Sequence, residues 1–246
     1  MSNILITGCA GFIGYHTSVK LLKNRKYVVG IDITNEKKKE TINHKRLSLL
    51  KSYKQFSYYK ININNKKKII EVIKNENIKI IIHLAAKAGV RQSYNFPERY
   101  YKNNILGFFN LIEAAKKNYI QHFIYASSSS VYGEQKDIKF DEKLNTSMPI
   151  SFYAATKKIN EVIAYNYSYA YNLPTTGLRF FTVYGPFGRE DMSYFKFTNS
   201  ILKNKKIYLY NNGKNLRDFT YIDDVVKSIL KIYKKPSTKN TPYNVF

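Results

Sequence analysis

Short β-branched runs alternate with longer amphipathic stretches as far as residue 182, and this alternation restricts the fold more than any other feature of the chain. The runs predicted as strands are 3–7, 27–32, 56–63, 78–85, 123–127 and 176–182. The stretches predicted as helices are 13–23, 66–75, 97–117 and 151–171. Consecutive apolar residues such as Ile80-Ile81-Ile82 suit strands that are buried on both faces of a parallel sheet. The pattern therefore predicts an α/β protein with a doubly wound parallel sheet.

The loop between the first predicted strand and helix carries three spaced glycines, Gly8, Gly11 and Gly14. The first permits a tight turn, the second lets backbone amides approach a pyrophosphate, and the third lets the helix pack closely on the strand. Asp32 ends the second predicted strand, where a carboxylate binds a ribose 2′-hydroxyl and repels a 2′-phosphate. This order of elements predicts a Rossmann dinucleotide site that takes NAD rather than NADP.

Tyr153 and Lys157 lie one helical turn apart and follow Ser128 in the chain. Side chains at positions i and i+4 share a helix face, and a neighbouring positive charge favours the phenolate form of a tyrosine. Tyr153 can then remove a hydroxyl proton while a hydride leaves the same carbon. Lys157 would also bond the nicotinamide ribose, and Ser128 would orient the alcohol oxygen. These three residues predict the oxidation of an alcohol with a nicotinamide cofactor.

These motifs, with His83-Leu84-Ala85-Ala86 and the segment 217–224, resemble the extended short-chain dehydrogenase/reductase family over essentially the whole chain. The resemblance implies a set of residues that contact NAD. They are Gly8, Gly11, Phe12, Ile13, Gly14, Asp32, Asn35, Asn62, Leu84, Ala85, Ala86, Lys87, Asn103, Tyr153, Lys157, Phe180 and Val183. Asn62 departs from the family, which usually has aspartate there to bond the adenine amine. An amide oxygen can accept the same bond.

The residues after Ser128 separate the reactions of this family. The run Ser128-Ser129-Ser130 has no carboxylate, unlike the runs of sugar 4,6-dehydratases and nucleotide-sugar decarboxylases. What remains is oxidation followed by reduction of the same carbon, which is epimerisation. The segments 88–91, 125–133 and 178–186, the last followed by 188–192, resemble the UDP-glucuronate 4-epimerases of the family, apart from Glu190 where proline is usual.

This second resemblance implies substrate contacts. They are made by Arg91, Ser128, Ser129, Ser130, Thr182, Arg189 and Arg217. Ser130, Thr182 and Arg189 would hold the hexuronate carboxylate, and Arg217 would bond the diphosphate. Arg91 suits a helix cap or the surface as well as it suits a pyrophosphate contact. Oxidation at C4 of a glucuronate gives a β-keto acid, so a carboxylate clamp would also suppress the loss of carbon dioxide.

We therefore expect 4-epimerisation of a nucleotide sugar through a 4-keto intermediate, with UDP-glucuronate and UDP-galacturonate as the favoured pair. A UDP-glucose/UDP-galactose 4-epimerase is the alternative within the class. A truncated, inactive protein that binds NAD or nucleic acid is the alternative outside it, and the intact Tyr153, Lys157 and Ser128 argue against that alternative.

The chain is strongly basic, with 41 Lys and Arg against 17 Asp and Glu and a formal net charge of +24. The lysines are not gathered into one stripe, so compositional drift is favoured over a nucleic-acid surface. The single cysteine, Cys9, permits no disulfide within the chain, and the four histidines show no metal-ligand spacing. No apolar run suits a membrane span or a signal peptide. We expect a cytoplasmic protein, and the resemblance implies a homodimer formed through the helices predicted at 97–117 and 151–171.

Two parts are expected along the chain. Residues 1–184 would form the NAD-binding Rossmann domain with the catalytic helix, and residues 185–246 would begin a small C-terminal substrate lobe. Part of the second region, about 207–235, would return to the Rossmann domain. Family members continue beyond Tyr243-Asn244-Val245-Phe246, which reads like the start of a strand, so the lobe is expected to be incomplete. If residue 246 ends the product, NAD binding would outlast epimerase activity.

Overall fold

The computed structural model describes residues 3–34, 41–134, 139–214, 216–236 and 243–245. Within these ranges the main sheet has seven parallel strands in the order β3-β2-β1-β4-β5-β6-β9. The strands are β1 (Asn3–Thr7), β2 (Val28–Asp32), β3 (Phe56–Lys60), β4 (Ile78–His83), β5 (His122–Ala126), β6 (Thr175–Leu178) and β9 (Tyr243–Val245). A second, two-stranded parallel sheet pairs β7 (Thr182–Tyr184) with β8 (Phe219–Tyr221).

Helices connect these strands. They are α1 (Phe12–Lys23), α2 (Ile42–Lys51), α3 (Lys66–Asn75), α4 (Val90–Asn95), α5 (Pro97–Tyr100), α6 (Gly107–Lys117), α7 (Phe152–Tyr171), α8 (Ser193–Leu202) and α9 (Ile222–Ile232). A π-helical segment, Tyr101–Leu106, joins α5 to α6, and a 3₁₀ turn, Ser129–Tyr132, follows β5. None of the helices in the described ranges is long and apolar enough to cross a bilayer.

Both faces of the main sheet are covered by helices. Successive residues of a strand point to opposite faces, so Leu5 packs with the apolar faces of α3, α6 and α7. Its neighbours Ile4 and Ile6 pack with those of α1 and α9 on the other face. The structure therefore confirms the predicted doubly wound sheet.

The C-terminal residues divide between two environments. Helix α9 packs against α1 through a small cluster of Phe12, Ile222 and Val226, and β9 extends the main sheet beside β6. Helix α8, by contrast, contains no buried residue, and its Ile201 and Leu202 side chains are exposed. Residues after 185 thus contribute both to the Rossmann layers and to a less packed region.

Two sequence predictions differ from the structure in more than their ends, whereas the strands predicted at 56–63 and 78–85 only end earlier, at Lys60 and His83. The segment 176–182, predicted as one strand, forms the end of β6 and the start of β7, which lie in different sheets. The chain leaves the main sheet after Leu178, where the amide of Phe180 donates to the Leu178 carbonyl oxygen (3.0 Å). The helix predicted at 97–117 is interrupted by the π segment. Helices α2, α4, α8 and α9 were not predicted.

Candidate active site

The glycine loop lies between β1 and α1, where the strand order of the sheet reverses. Gly8 has φ +72°, and a Cβ atom there would lie 2.8 Å from the amide nitrogen of Ala85. A Cβ atom on Gly14 would lie 2.2 Å from the Gly8 carbonyl oxygen. Only glycine fits these two positions, because backbone from β1, α1 and the end of β4 converges there. The loop therefore opens at the carboxyl ends of the strands, where doubly wound sheets bind ligands.

The first turn of α1 suits an anion. Its N-cap is Gly11, and within the described chain no side chain caps the helix and no acidic residue lies in its first turn. The first-turn amides of Phe12 and Ile13 thus face the loop at the positive end of the helix dipole. A dinucleotide pyrophosphate fits this arrangement.

Asp32 is fixed beside the same loop. The amides of Ala10 and Ile33 donate to its two carboxylate oxygens (3.0 and 2.7 Å), and the Thr34 hydroxyl donates to one of them (3.1 Å). The carboxylate therefore lies at the end of β2, next to the loop, where it can accept hydrogen bonds from a ribose. Asn62 is exposed after β3, and its amide oxygen accepts from the amide of Asn64 (2.9 Å). Asn35 lies outside the described residues.

The chain after β4 lies beside the glycine loop. The amides of Leu84 and Ala85 donate to the carbonyl and hydroxyl oxygens of Thr7 (3.1 and 3.3 Å), which fixes the start of the segment 84–87. Ala86 and Lys87 are exposed in the crevice region. The side chain of Asn104 holds the backbone of Lys87 from both sides, accepting from its amide (2.8 Å) and donating to its carbonyl (3.0 Å).

Asn104, rather than Asn103, connects this segment to helix α7. Its amide also donates to the Thr156 hydroxyl on α7 (3.1 Å) and is buried. The Asn103 side chain instead donates to the carbonyl of Arg99 on its own helix (2.7 Å). The two residues lie in the π segment, whose wider turn changes which side chain faces inward.

Helix α7 carries Tyr153 and Lys157 into the crevice. Ser151 is its N-cap and accepts from the amide of Ala154 (3.1 Å), so Tyr153 lies in the first turn. The amide of Tyr153 donates to the buried Ser93 hydroxyl on α4 (3.1 Å). The Lys157 Nζ atom lies 5.9 Å from the centre of the Tyr153 ring and donates to the carbonyl of Ala126 (2.8 Å). The structure thus brings the predicted pair together at the carboxyl end of β5.

Burial and three neighbours, Ser128, Arg189 and Tyr100, set the ionisation of Tyr153, and of the three only Tyr100 raises its pKa. Burial raises the pKa of its phenol, while a hydrogen bond with Ser128 and the positive charge of Arg189 lower that pKa. Burial also lowers the pKa of Lys157 to about 8. His83 is also buried. Burial and the charge of Lys157 lower its pKa to about 3, so the imidazole stays neutral. The site therefore combines a desolvated phenol with two groups that favour its anion.

The serine run forms the start of the 3₁₀ turn that follows β5. Ser128 is the N-cap of the 3₁₀ turn and accepts from the amide of Ser130 (3.2 Å), and the hydroxyls of the two residues are 2.9 Å apart. The amide of Ser129 donates to the Phe180 carbonyl (3.0 Å). These bonds hold the Ser128 hydroxyl next to Tyr153.

A buried ion pair supports this turn from below. Both carboxylate oxygens of Glu161 accept from the guanidinium of Arg179 (2.9 Å each). One of them also accepts from the Ser127 hydroxyl (2.6 Å). Side-chain exposure is 2% for Glu161 and 6% for Arg179. The pair therefore fixes Ser127, the residue before Ser128, to helix α7.

The chain after β6 borders the crevice. Phe180 and Val183 pack against the core on the α1 side of the sheet, and the Thr182 amide donates to the Asp218 carbonyl (3.2 Å). Arg189 is half-buried and forms a bidentate pair with Asp191 (3.0 and 2.6 Å), which raises the pKa of the arginine. Its charge nevertheless acts on Tyr153, so it belongs to the same site.

Two predicted substrate residues lie at the surface. Arg91 is exposed on α4. Arg217 is exposed and donates to the carbonyl of the preceding residue, Leu216 (2.6 Å). Their roles in binding a diphosphate stay predictions.

Sequence reasoning missed Arg46, Asn104 and Glu161. Each acts on residues that are distant in sequence, such as Phe187 for Arg46 and Thr156 for Asn104. Glu161 had a usable signal, because it falls on the inward face of α7 defined by Ala154, Lys157, Glu161 and Ala164. A carboxylate on an otherwise buried face predicts a buried partner.

A Rossmann sheet with a glycine loop, an α1 terminus that no side chain caps within the described chain, a carboxylate at the end of β2 and a Tyr–Lys pair at the carboxyl end of β5 defines a dinucleotide-dependent enzyme that acts on an alcohol or ketone. Within that class, the sequence profile of the NAD dependent epimerase/dehydratase family matches residues 4–245. The chain belongs to this family.

Relatives and solved structures agree with this assignment. Protein CapI of Staphylococcus aureus is 46% identical over 241 residues, covering 98% of this chain and 72% of the relative. A probable UDP-glucuronate 4-epimerase of Rhizobium meliloti is 40% identical over 237 residues (96% and 70% covered). The Bacillus cereus UDP-glucuronic acid 4-epimerase, solved with UDP-glucuronic acid and NAD, superposes with a TM-score of 0.89 at 34% identity (98% and 76% covered). A UDP-glucose 4-epimerase of Thermotoga maritima gives 0.84 at 28% (99% and 75% covered).

Proposed function

We propose that this chain is an NAD-dependent nucleotide-sugar 4-epimerase that interconverts UDP-glucuronate and UDP-galacturonate. The observation that carries the proposal is the position of Arg189, whose positive charge lowers the pKa of the Tyr153 phenol. A cation there, together with the Ser130 and Thr182 hydroxyls, suits a substrate with a carboxylate beside the reacting carbon. The resemblance to UDP-glucuronate 4-epimerases at 40–45% identity supports it.

NAD would be held by the Gly8–Gly14 loop, by Asp32 on a ribose, by the segment 84–87 and by Lys157. When bound, it supplies reversible acceptance of a hydride from C4 of the sugar. The uncapped α1 terminus and the convergent glycines favour this fit. Asp32 beside the loop favours NAD over NADP, since a 2′-phosphate would meet a carboxylate.

Tyr153 acts as the base and then as the acid. Its phenolate takes the proton of the C4 hydroxyl, and the Ser128 hydroxyl orients the same oxygen. Lys157 and Arg189 stabilise the phenolate by charge. After the 4-keto sugar rotates, Tyr153 returns the proton to the oxygen when C4 is reduced on the opposite face. Each residue is regenerated in a turnover.

The carboxylate contacts also protect the intermediate. A 4-keto glucuronate is a β-keto acid, and it loses carbon dioxide when the C–CO₂ bond aligns with the ketone π system. Arg189, Ser130 and Thr182 would hold the carboxylate out of that alignment. Arg189 is bound to Asp191 in the structure, so substrate binding would exchange one carboxylate partner for another. Arg91 and Arg217 are the candidates for the diphosphate.

Product analysis tests this function directly. Purified protein would be incubated with UDP-glucuronate and, separately, with UDP-glucose, and the sugar products identified by NMR. We expect UDP-galacturonate from the first incubation. Conversion of UDP-glucose alone would overturn the uronate assignment and favour the neutral-sugar 4-epimerase that the Thermotoga maritima structure also supports.

Replacing Arg189 should change both substrate binding and pH dependence. In Arg189→Met we expect the KM for UDP-glucuronate to rise at least about tenfold, because a charge-assisted contact is lost. Since Arg189 lowers the pKa of Tyr153, its loss raises that pKa. The ascending limb of the pH–rate profile therefore moves to higher pH.

The exposed Arg25, in the turn after α1, provides the control as Arg25→Met and should leave both quantities unchanged. An unchanged pH profile in Arg189→Met would show that Arg189 does not affect the ionisation of Tyr153.

We also propose a homodimer formed through α7 and the helix that ends in α6. Four large apolar side chains are exposed on these two adjacent helices: Leu106 (38%), Phe109 (41%), Ile159 (38%) and Val162 (57%). An apolar face of this kind suits a second copy that presents the same face.

Val162→Asp should therefore shift the protein to a monomer in size-exclusion chromatography with light scattering, because the change buries a carboxylate in the contact. Leu202→Asp, on the exposed α8, should remain dimeric. A dimeric Val162→Asp variant would place the contact elsewhere.

A further inference from the structure

Arg46 is a buried arginine whose hydrogen bonds go to carbonyl and amide oxygens. It lies on the inward face of α2 and is 2% exposed. Its Nη1 donates to the Ala10 carbonyl (3.0 Å) and to the Asn43 side-chain oxygen (2.8 Å). Its Nε donates to the Phe187 carbonyl (3.1 Å), and its Nη2 donates to the Phe187 and Gly188 carbonyls, the latter at 3.1 Å. The guanidinium thus joins three segments of chain.

Two of these segments belong to different halves of the site. Ala10 lies inside the glycine loop, and its own amide donates to Asp32. Phe187 and Gly188 come directly before Arg189. Arg46 therefore spans the dinucleotide loop and the turn that carries Arg189.

Helix α1 holds the same turn from a second direction. The His16 Nε2 atom is hydrogen-bonded to the Pro186 carbonyl (2.8 Å). The Tyr15 ring lies 5.6 Å from the Phe187 ring. The turn at 185–188 thus rests on the helix that begins at the glycine loop. Movement of the loop and of α1 would be transmitted to the turn.

Only an arginine can make this connection. Its planar group presents five N–H donors in fixed directions, whereas lysine presents three from one point. Burial lowers the pKa of Arg46 to about 10, opposed by Glu190, Tyr15 and Asp32, so the group stays charged at neutral pH. A buried cation that donates hydrogen bonds to main-chain carbonyls holds those parts of the backbone in place.

We propose that Arg46 is a positioning residue that couples NAD binding in the glycine loop to the order of the Arg189 segment. The identity of the substrate that binds Arg189 rests on the proposed function, whereas the coupling itself rests on the contacts of Arg46. Ordering of the loop by NAD fixes the Ala10 carbonyl, which fixes Arg46 and in turn the Phe187 and Gly188 carbonyls. Linkage requires the reverse as well, so a ligand on Arg189 should tighten NAD binding.

Amide hydrogen exchange with and without NAD tests the coupling. In the wild-type protein, NAD should slow exchange in the segment 8–14 and also in the segment 185–192. In Arg46→Met, NAD should still slow exchange in the segment 8–14. In the segment 185–192, the factor by which NAD slows exchange should be at least about tenfold smaller than in the wild type. Lys45→Met is the matched control. It removes a neighbouring cation that lies over the Phe187 ring (5.7 Å), and it should behave as wild type.

A second measurement uses linkage. Saturating UDP-glucuronate should tighten NAD binding to the wild type and to Lys45→Met but leave it unchanged in Arg46→Met. If Arg46→Met does not fold, Arg46→Lys keeps the charge with fewer donors and should show the same loss. The proposal would be overturned if NAD still slowed exchange in the segment 185–192 of Arg46→Met. It would also be overturned if the slowing were lost equally in the segments 8–14 and 185–192. Failure of the wild type to epimerise UDP-glucuronate would overturn the proposed function, and the exchange data would still decide the coupling.

Discussion

Tyr153→Phe should lower kcat about 10³-fold while leaving NAD binding intact, within the usual range for loss of a general acid–base group. The ring keeps its edge-to-face contact with Tyr100 (centroids 6.2 Å apart), so the helix and the crevice keep their shape. What is lost is the phenolic oxygen that takes the C4 proton in the proposed mechanism. Since that proton moves in both half-reactions, epimerisation should fall equally in the two directions.

The measurement is kcat by NMR from both UDP-glucuronate and UDP-galacturonate, with bound NAD determined from nucleotides released on denaturation. Tyr169→Phe removes a hydroxyl from the same helix, where the side chain is 77% exposed, and should retain full activity. An active Tyr153→Phe enzyme would refute the mechanism. Loss of NAD from that variant would instead show that the hydroxyl serves binding.

Glu161→Ala should destabilise the protein by about 3–5 kcal/mol, the usual cost of removing one partner of a buried ion pair. The substitution leaves the Arg179 guanidinium buried without the two bonds that Glu161 provides. It also removes the acceptor of the Ser127 hydroxyl. Because Ser127 precedes Ser128, kcat should fall as well.

Urea denaturation followed by circular dichroism gives the free energy of unfolding. Lys227→Ala, which breaks an exposed pair with Asp224 (3.1 Å), should change that free energy by less than about 1 kcal/mol. Glu161→Leu combined with Arg179→Met should recover most of the loss, because both buried charges are then removed. A small effect of Glu161→Ala alone would mean that the carboxylate does not support the turn.

Local patterns predicted much of this molecule correctly. The glycine loop, the helix that follows it and Asp32 all lie within one strand–helix–strand unit, so neighbouring residues specify them. The Tyr153–Lys157 pair shares a helix face because of helical spacing alone. Helix α3 begins and ends where predicted, since its apolar residues repeat strongly on one face.

Other predictions needed the three-dimensional arrangement. Two adjacent asparagines, 103 and 104, cannot be told apart by spacing, because the π segment shifts the helical phase by part of a turn. The strand predicted at 176–182 breaks where Arg179 turns toward Glu161, and that partner lies on a helix 18 residues earlier. Helix α2 gave a weak pattern because its inward face is short and centred on a charged residue, Arg46.

By itself the sequence determined the class of fold, the glycine loop and the placing of Tyr153 and Lys157 on one helix face, because each depends on residues close together in the chain. Only the tertiary structure decided that Arg46 joins Ala10 to Gly188, 142 residues beyond Arg46, and that Glu161 supports the serine turn through Arg179. Such contacts form when distant segments are packed together, and a buried charge takes its partner from whichever segment the fold brings near.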